Sequence, residues 1–301
     1  MASAGKTLLF GLIGDPAAHS LSPFIMNRAF DSLGLDAMYV AFGVKPERLQ
    51  ASVAGLGTMG IAGLNVTYPY KEEILYHIDA ISSEAEIINA VNTVLFFDDE
   101  IQGFNTDAPG TAIALETFTD APVEGARAFI YGMGGSARAA AYGLLERGAE
   151  RVTFAVRSAE KGPMVLERFE FAFPEQDVDV VRMGGVDDIV PRRDAFMGAD
   201  IVINATPVGM EGMASGDLID NPAWISPEQT FFDFVYHPRQ TPFLETARRA
   251  GARTLGGIAL LVAQASESFR IWTDHGFDVK EMVEAVEEFS RAEPPTGRGL
   301  H

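Results

Sequence analysis

Ala126-Arg-Ala-Phe-Ile-Tyr131, Gly132-Met-Gly-Gly-Ser-Ala137, Arg138-Ala-Ala-Ala-Tyr-Gly-Leu-Leu-Glu-Arg147: an apolar run, a knot of glycines and a helical pattern follow one another without a gap. The run reads as a buried strand and Ser136 to Arg147 as a helix. The glycines between them match G-x-G-x-x-A, and the strand before and helix after supply the context that such a match needs. Glycine allows a tight turn and close approach of a pyrophosphate, and the helix N-terminus offers unpaired N–H donors and a favourable dipole. Gly132, Gly134, Gly135, Ser136 and Ala137 are therefore candidate cofactor-binding residues. The next strand, Arg151 to Val156, ends 24 residues after Gly132 on Val156-Arg157-Ser158. An acidic residue near this point would hold the ribose hydroxyls of NAD. Arginine instead suits a ribose 2′-phosphate through charge-assisted hydrogen bonds. The expected cofactor is NADP, with Arg157 and Ser158 at its phosphate.

Outward from this stretch, strands and helices alternate, which implies an α/β fold with a largely parallel sheet. On the N-terminal side the pattern predicts strands over 7–13, 37–42 and 61–67. It predicts helices over 22–33, 46–55, 72–78 and 83–87, and a hairpin of 91–97 with 100–104 around Asp98-Asp99. Pro23 suits the first turn of its helix. On the C-terminal side strands are expected over 178–182, 200–205 and 230–234, with a short one at Thr254. Helices are expected over 107–119, 241–250, 258–275 and 277–291. The domain reading is a substrate-binding and catalytic domain over 1–106, completed by 258–291, and a dinucleotide domain over 107–257. The tail 292–301, rich in Pro and Gly, is expected to be disordered.

Composition narrows the class. Hydrophobic content of 47% and charged content of 22% describe a globular chain. The net charge of −19 argues against a nucleic-acid partner, because a polyanion would be repelled. No run approaches the ~18 apolar residues that span a membrane. No signal-peptide cleavage pattern is evident, so the reading is a cytoplasmic protein without a membrane partner. The absence of cysteine excludes disulfides, thiolate metal sites and cysteine nucleophiles. The histidines have no metal-ligand spacing, and no metal is expected. Only five of the 23 basic residues are lysine, a pattern compatible with a high-salt cytoplasm and with ordinary acidic solubility alike. Oligomeric state is not set by the sequence, which leaves a homodimer open.

A second informative stretch is Gly63-Leu-Asn-Val-Thr-Tyr-Pro-Tyr-Lys71. Pro69 biases Tyr68 toward an extended conformation. In an extended segment Asn65, Thr67, Pro69 and Lys71 share one face. That row of polar groups reads as the wall of a polar ligand site, or as a solvated strand end. Ser20 and Ser22 are spaced to present two hydroxyls to a carboxylate beside a helix N-terminus, or to cap that helix. Gln264 sits in the apolar run Ile258 to Ala265, where a glutamine needs a partner.

Taken together these segments resemble the shikimate dehydrogenase family, over roughly residues 8 to 289. Gly14-Asp-Pro-Ala-Ala-His-Ser-Leu-Ser-Pro23 is similar to the family's substrate-carboxylate loop, and Gly63 to Lys71 to its G-x-N-V-T-x-P-x-K motif. Ala90-Val-Asn-Thr93, Gly103-Phe-Asn-Thr-Asp107, Asn204-Ala-Thr-Pro-Val-Gly-Met210, Asp233-Phe-Val-Tyr-His-Pro238 and Gln264 follow in the family's order. The resemblance implies a substrate domain plus a Rossmann NADP domain, with the last helices returning to the first. It implies reversible reduction of 3-dehydroshikimate to shikimate with NADPH, the substrate lying between the domains.

It also implies roles. Lys71 would stabilise the developing alkoxide and deliver a proton, with Asp107 as its carboxylate partner and a bond to the substrate hydroxyl. Asp107 would otherwise cap the helix it opens. Ser20, Ser22, Asn65, Thr67, Asn92, Tyr236 and Gln264 would bind the substrate. Thr206, Val235 and Gly257 would join the cofactor side. The chain departs from the family at Asn89, where glycine is common, and at Val156 and Ser158, where Asn and Thr are usual. The alternatives are a quinate or dual-specificity dehydrogenase, and a non-catalytic NADP-binding regulator on the same fold. Serine rather than threonine at position 22 leans toward shikimate.

Overall fold

The computed structural model describes residues 7–292 apart from Ala18, His19, Asp99, Ala159, Lys161, Val186, Ala214, Ser215 and Asp217. His19, Asp99 of the hairpin turn and the tail from Glu293 lie outside the described residues. Two compact units divide the chain: one runs up to Thr106 and resumes at Ala265, the other is Asp107–Gln264.

The first unit begins β1 (Leu8–Gly14), α1 (Ser22–Ser32), β2 (Ala37–Gly43), a 3-10 turn at Pro46–Arg48, α2 (Leu49–Thr58) and β3 (Ile61–Val66). It continues β4 (Ala80–Ile81), α3 (Ser83–Ile88), β5 (Thr93–Phe97) and β6 (Glu100–Phe104). The sheet order is β2-β1-β3-β5-β6-β4. The first three strands are parallel, and the hairpin β5–β6 runs antiparallel to β3. One face buries Ile13, Leu64, Val66, Val91 and Val94 with Tyr70 and Ile74. The segment 72–78 forms a 3-10 turn at Glu73–His77 rather than an α-helix. The terminus of α3 shows what Asn89 does. It adopts a left-handed conformation, φ 55°, and the turn closes with Asn89 N–H on Glu86 O at 3.2 Å and Ala90 N–H on Ala85 O at 3.3 Å. Asparagine is the residue after glycine best suited to that position.

The second unit holds α4 (Asp107–Phe118), β7 (Arg127–Tyr131), α5 (Gly135–Glu146), β8 (Arg151–Val156), α6 (Gly162–Ala172), β9 (Asp177–Arg182) and α7 (Ile189–Met197). It continues β10 (Ile201–Asn204), β11 (Thr230–Asp233), α8 (Pro242–Arg249) and β12 (Arg253–Leu255). All strands are parallel in the order β12-β11-β10-β7-β8-β9, so the winding reverses between β7 and β10. Phenylalanines fill the core, Phe129, Phe196, Phe231 and Phe243 among them. The sequence pattern predicts no element at α6 or α7, whose prolines are Pro163 and Pro191. Both prolines occupy first turns, where a missing N–H costs nothing.

The chain closes with α9 (Gly257–Thr273) and α10 (Val279–Ala292). The division between units falls inside α9 at Ala265, whereas the sequence pattern puts the return at 258. Residues beyond Ala265 pack on the first unit: Phe269 against Phe30 with ring centroids 5.1 Å apart, Trp272 on Phe10 at 5.0 Å, and Phe289 on Phe24 at 4.2 Å. Trp272 Nε1 also donates to Val94 O at 3.0 Å, and the indole lies across Gly63, where a Cβ would collide with it. Glycine at position 63 is a steric requirement of this seat.

Candidate active site

In the first unit the polar residues collect where parallel β1 and β3 end. Thr67 N–H donates to Ile13 O at 3.0 Å and Asp15 N–H to Tyr68 O at 3.1 Å, so the loops after the two strands run side by side. The chain is not extended beyond Thr67. Tyr70 N–H turns back to Thr67 O at 2.9 Å, and the Tyr70 side chain is fully buried. The shared face predicted for Asn65 through Lys71 therefore ends at Thr67, and a turn delivers Lys71, which is half-buried. Its carbonyl accepts from Val91 N–H at 2.8 Å, which ties the lysine's backbone to the Asn92 segment.

Ser22 is in the first turn of α1, after Leu21 at the N-cap, and no side chain caps this helix. Its hydroxyl is buried, bonded instead to Ser20 Oγ at 3.1 Å. Burial pushes the Tyr39 phenol well above its usual range. Tyr39 in turn donates to Asn65 Oδ1 at 2.8 Å. Asn65 Nδ2 donates to Asn92 O at 3.1 Å, Thr93 Oγ1 at 3.1 Å and Ser268 Oγ at 2.9 Å. Its two N–H bonds are thus shared among three acceptors inside the protein. Asn92 Oδ1 accepts from Thr106 N–H at 2.8 Å, so a bond from the Asn92 side chain to a ligand comes from Nδ2. Sequence reasoning missed Tyr39 and Ser268. The available signal was that a phenol and a hydroxyl on otherwise apolar faces need partners.

In the second unit buried Asp107 opens α4, and Thr111 Oγ1 donates to its carbonyl at 2.8 Å. Gln264 lies against the same helix: a Cβ on Gly110 would come within 2.8 Å of Gln264 N. The Gln264 side-chain amide donates to Leu261 O at 2.7 Å. Tyr236 follows β11, and burial raises its phenol.

The glycine turn sits where the winding reverses, the place where open α/β sheets bind ligands. Gly132 has φ +100°, which favours glycine, and its N–H donates to Ala155 O at 2.9 Å. A Cβ on Gly132 would reach within 3.0 Å of Thr206 Cγ2, so Thr206 borders the turn. Gly134 caps α5 with φ −74°, a conformation open to any residue, and a Cβ there would meet no protein atom within 4 Å. Neither strain nor packing asks for glycine at 134, while a ligand approaching the helix terminus does. Arg138, buried in the first turns of α5, donates to Met133 O at 2.9 Å and braces the turn. Arg157 follows β8 at its C-terminal end, exposed. Gly257 packs on the chain before Val235, with a Cβ position 2.5 Å from Phe234 O. These residues fit a dinucleotide.

Beneath this side lies a second buried network. Asp233 Oδ1 accepts from Asn204 Nδ2 at 2.9 Å and Val235 N–H at 3.0 Å, and Oδ2 from Thr241 Oγ1 at 2.5 Å. Asn204 Oδ1 accepts from Thr206 Oγ1 at 2.7 Å. Burial raises the Asp233 carboxyl to about 6 against the lowering effect of those hydrogen bonds. Among the described residues no group of three or more His, Asp or Glu could hold a metal ion, and no helix is long and apolar enough to cross a membrane.

A doubly wound nucleotide unit with a glycine turn at its switch point, joined to a unit with a buried polar site, defines an α/β dinucleotide-binding protein. A family model described as shikimate dehydrogenase substrate binding domain matches residues 12–94. The shikimate dehydrogenase (NADP(+)) of Methanothermobacter thermautotrophicus is 41% identical over 285 residues, 92% of this chain and 95% of that one. The crystal structure of Listeria monocytogenes shikimate 5-dehydrogenase, in complex with shikimate and NAD, is similar at a TM-score of 0.85 and 32% identity, covering 95% of this chain and 98% of that one. The Thermus thermophilus enzyme, in complex with NADP(H) and shikimate, gives 0.80 and 33%, covering 94% and 99%. The chain belongs to the shikimate dehydrogenase family.

Proposed function

We propose that the protein catalyses the reversible, NADP-dependent reduction of 3-dehydroshikimate to shikimate, a step toward chorismate and the aromatic amino acids. The observation that carries this reading is the match to a relative of that name over 95% of the relative's length, which takes in both units.

NADPH, when bound, supplies the hydride. Gly132, Gly134, Gly135, Ser136 and Ala137 would hold its pyrophosphate and Arg157 with Ser158 its 2′-phosphate. Thr206, Val235 and Gly257 would border the rest. Lys71 stabilises negative charge growing on the substrate oxygen and returns a proton to it. Asp107 accepts a hydrogen bond from the reacting hydroxyl. Ser20 and Ser22 take the carboxylate. Thr67, Asn92, Tyr236 and Gln264 bond the ring substituents, since a polyhydroxylated ring is distinguished by fixed donors and acceptors. Asn65 contributes by holding Asn92 and Tyr39 in register. The setting is cytoplasmic, and the charge of −19 disfavours nucleic acid as a partner. A homodimer would use the outer edge of β2, which among the described residues pairs with β1 alone and exposes Met38 and Val40; light scattering tests it.

The test of function is nicotinamide absorbance with shikimate and quinate, each with NADP and NAD, at low and high salt. Fast turnover with shikimate and NADP alone is expected. Comparable turnover of quinate or preference for NAD would move the protein to the quinate branch. NADP binding without turnover would mark a regulator.

A further inference from the structure

Asp233 is fully buried, and the proposed chemistry does not use it. Three donors from three segments meet on its carboxylate. Asn204, at the end of β10, reaches Oδ1 through Nδ2 at 2.9 Å, and the Val235 N–H, just after β11, reaches the same oxygen at 3.0 Å. Thr241, the N-cap of α8, donates to Oδ2 at 2.5 Å and accepts the Leu244 N–H at 3.3 Å. The Asn204 amide has one orientation. Its Nδ2 also faces Val208 O at 3.0 Å, which only accepts, and its Oδ1 faces the Thr206 N–H at 3.0 Å, which only donates. That oxygen takes the Thr206 hydroxyl proton as well, at 2.7 Å, and Thr206 Oγ1 accepts the Val208 N–H at 3.2 Å. What Thr206 turns toward Gly132 is its methyl group, 3.0 Å from where a Cβ on that glycine would stand. Asn204, Asp233 and Thr241 are all buried, so water does not compete for these bonds. A buried carboxylate is costly even when bonded, and an apolar side chain would fill the seat at less cost. Only a group that accepts on both oxygens ties the three segments together.

We infer that Asp233 is a positioning residue for the dinucleotide: through Asn204 it sets where Thr206 stands against the glycine turn, and directly it holds the backbone at Val235. This rests on the reading of Thr206 and Val235 as residues bordering NADP. The glycine turn would take the pyrophosphate, which NADP and NAD share, so the positioning serves both nucleotides alike.

The experiment titrates the unaltered protein, Asp233→Ala and Asp233→Asn with NADPH and with NADH, followed by nicotinamide fluorescence, with a thermal melt as a fold control. It is run at about pH 8, above the value of about 6 to which burial raises the Asp233 carboxyl. Asp233→Ala is expected to raise both dissociation constants by about tenfold, the scale of one hydrogen bond to a charged group. The KM for shikimate should change less than about twofold. Asparagine keeps one oxygen for Asn204 and Val235, so Asp233→Asn is expected to stay within about threefold of the unaltered protein. Unchanged constants in Asp233→Ala would overturn the inference, as would a rise confined to NADPH or an equal rise in Asp233→Asn. If Asp233→Ala does not fold, Asn204→Ala cuts the tie to Thr206 instead. A rise of about fivefold for both nucleotides is then expected, and no rise overturns the inference. If the unaltered protein binds neither nucleotide, the inference falls together with the NADP reading. If it binds them without turning over shikimate, the proposed function fails and the dissociation constants still decide the inference.

Discussion

The two buried polar networks are built on different chemistry. In the first unit the amides and hydroxyls of Tyr39, Asn65, Asn92, Thr93, Thr106 and Ser268 are bonded to one another. In the second, Asn204, Thr206 and Thr241 gather around a buried carboxyl, Asp233. Amides and hydroxyls keep their geometry as pH changes. A network centred on a carboxyl is sensitive to pH, because burial disfavours its ionised form. The substrate end is thus organised for orientation, and the cofactor side carries a titrating group under its loops.

The strongest way to break this contrast is to separate the units functionally. Lys71→Ala in the first unit is expected to lower kcat by about 10²–10⁴-fold while leaving NADP affinity, measured by fluorescence titration, within about twofold. Loss of both would sink the assignment of Lys71 to chemistry. The next largest effect concerns Asp233. Its folded carboxyl, at about 6, lies above the ordinary 3.8, so the folded state holds the proton more tightly than the unfolded chain. Its contribution is fully present below the ordinary value and is lost as pH rises through about 6. Asp233→Asn removes that loss. Its stability relative to the unaltered protein should therefore climb by about 3 kcal/mol between roughly pH 4 and 7, measured by urea unfolding at each pH. A flat difference would mean that Asp233 is ionised at little cost. Asn65, which carries no charge, gives no such slope.

Arg157→Ala sharpens the comparison at the cofactor's outer end. Removing a charge-assisted hydrogen bond worth about 1.5–3 kcal/mol should raise the KM for NADP by about ten- to a hundredfold. The KM values for NAD and shikimate should stay put. The smallest effect lies in the first unit's scaffold. Asn89→Ala should cost about 1 kcal/mol in thermal unfolding, and Asn89→Gly should be neutral or slightly stabilising.

What could be read from the chain divides along the same physical line. The glycine turn, the alternation of strand and helix, and the hairpin are local patterns, and local sequence carries them. The reading of 67–71 as extended failed because Tyr70 turns inward to a core that the sequence does not display. Helices α6 and α7 went unpredicted; each carries a proline in its first turn, and a proline there looks like one that breaks a helix. The substrate-end network was least legible. Asn65 meets Ser268 across 203 residues of chain, and no spacing rule links them. Gly63 reads as part of a motif, while its steric reason, Trp272, lies far along the chain on α9.

That partnership has a consequence for synthesis on the ribosome. Strands β1 to β6 emerge early, yet Ser268, Phe269 and Trp272, which complete their packing, are translated only after the whole of Asp107–Gln264. The nucleotide unit has all its residues while its elder neighbour still exposes Phe10, Phe30 and an unfilled seat over Gly63. Birth order and order of completion are reversed, and the waiting N-terminal sheet is the nascent chain's vulnerable surface, the part that chaperones have most reason to guard.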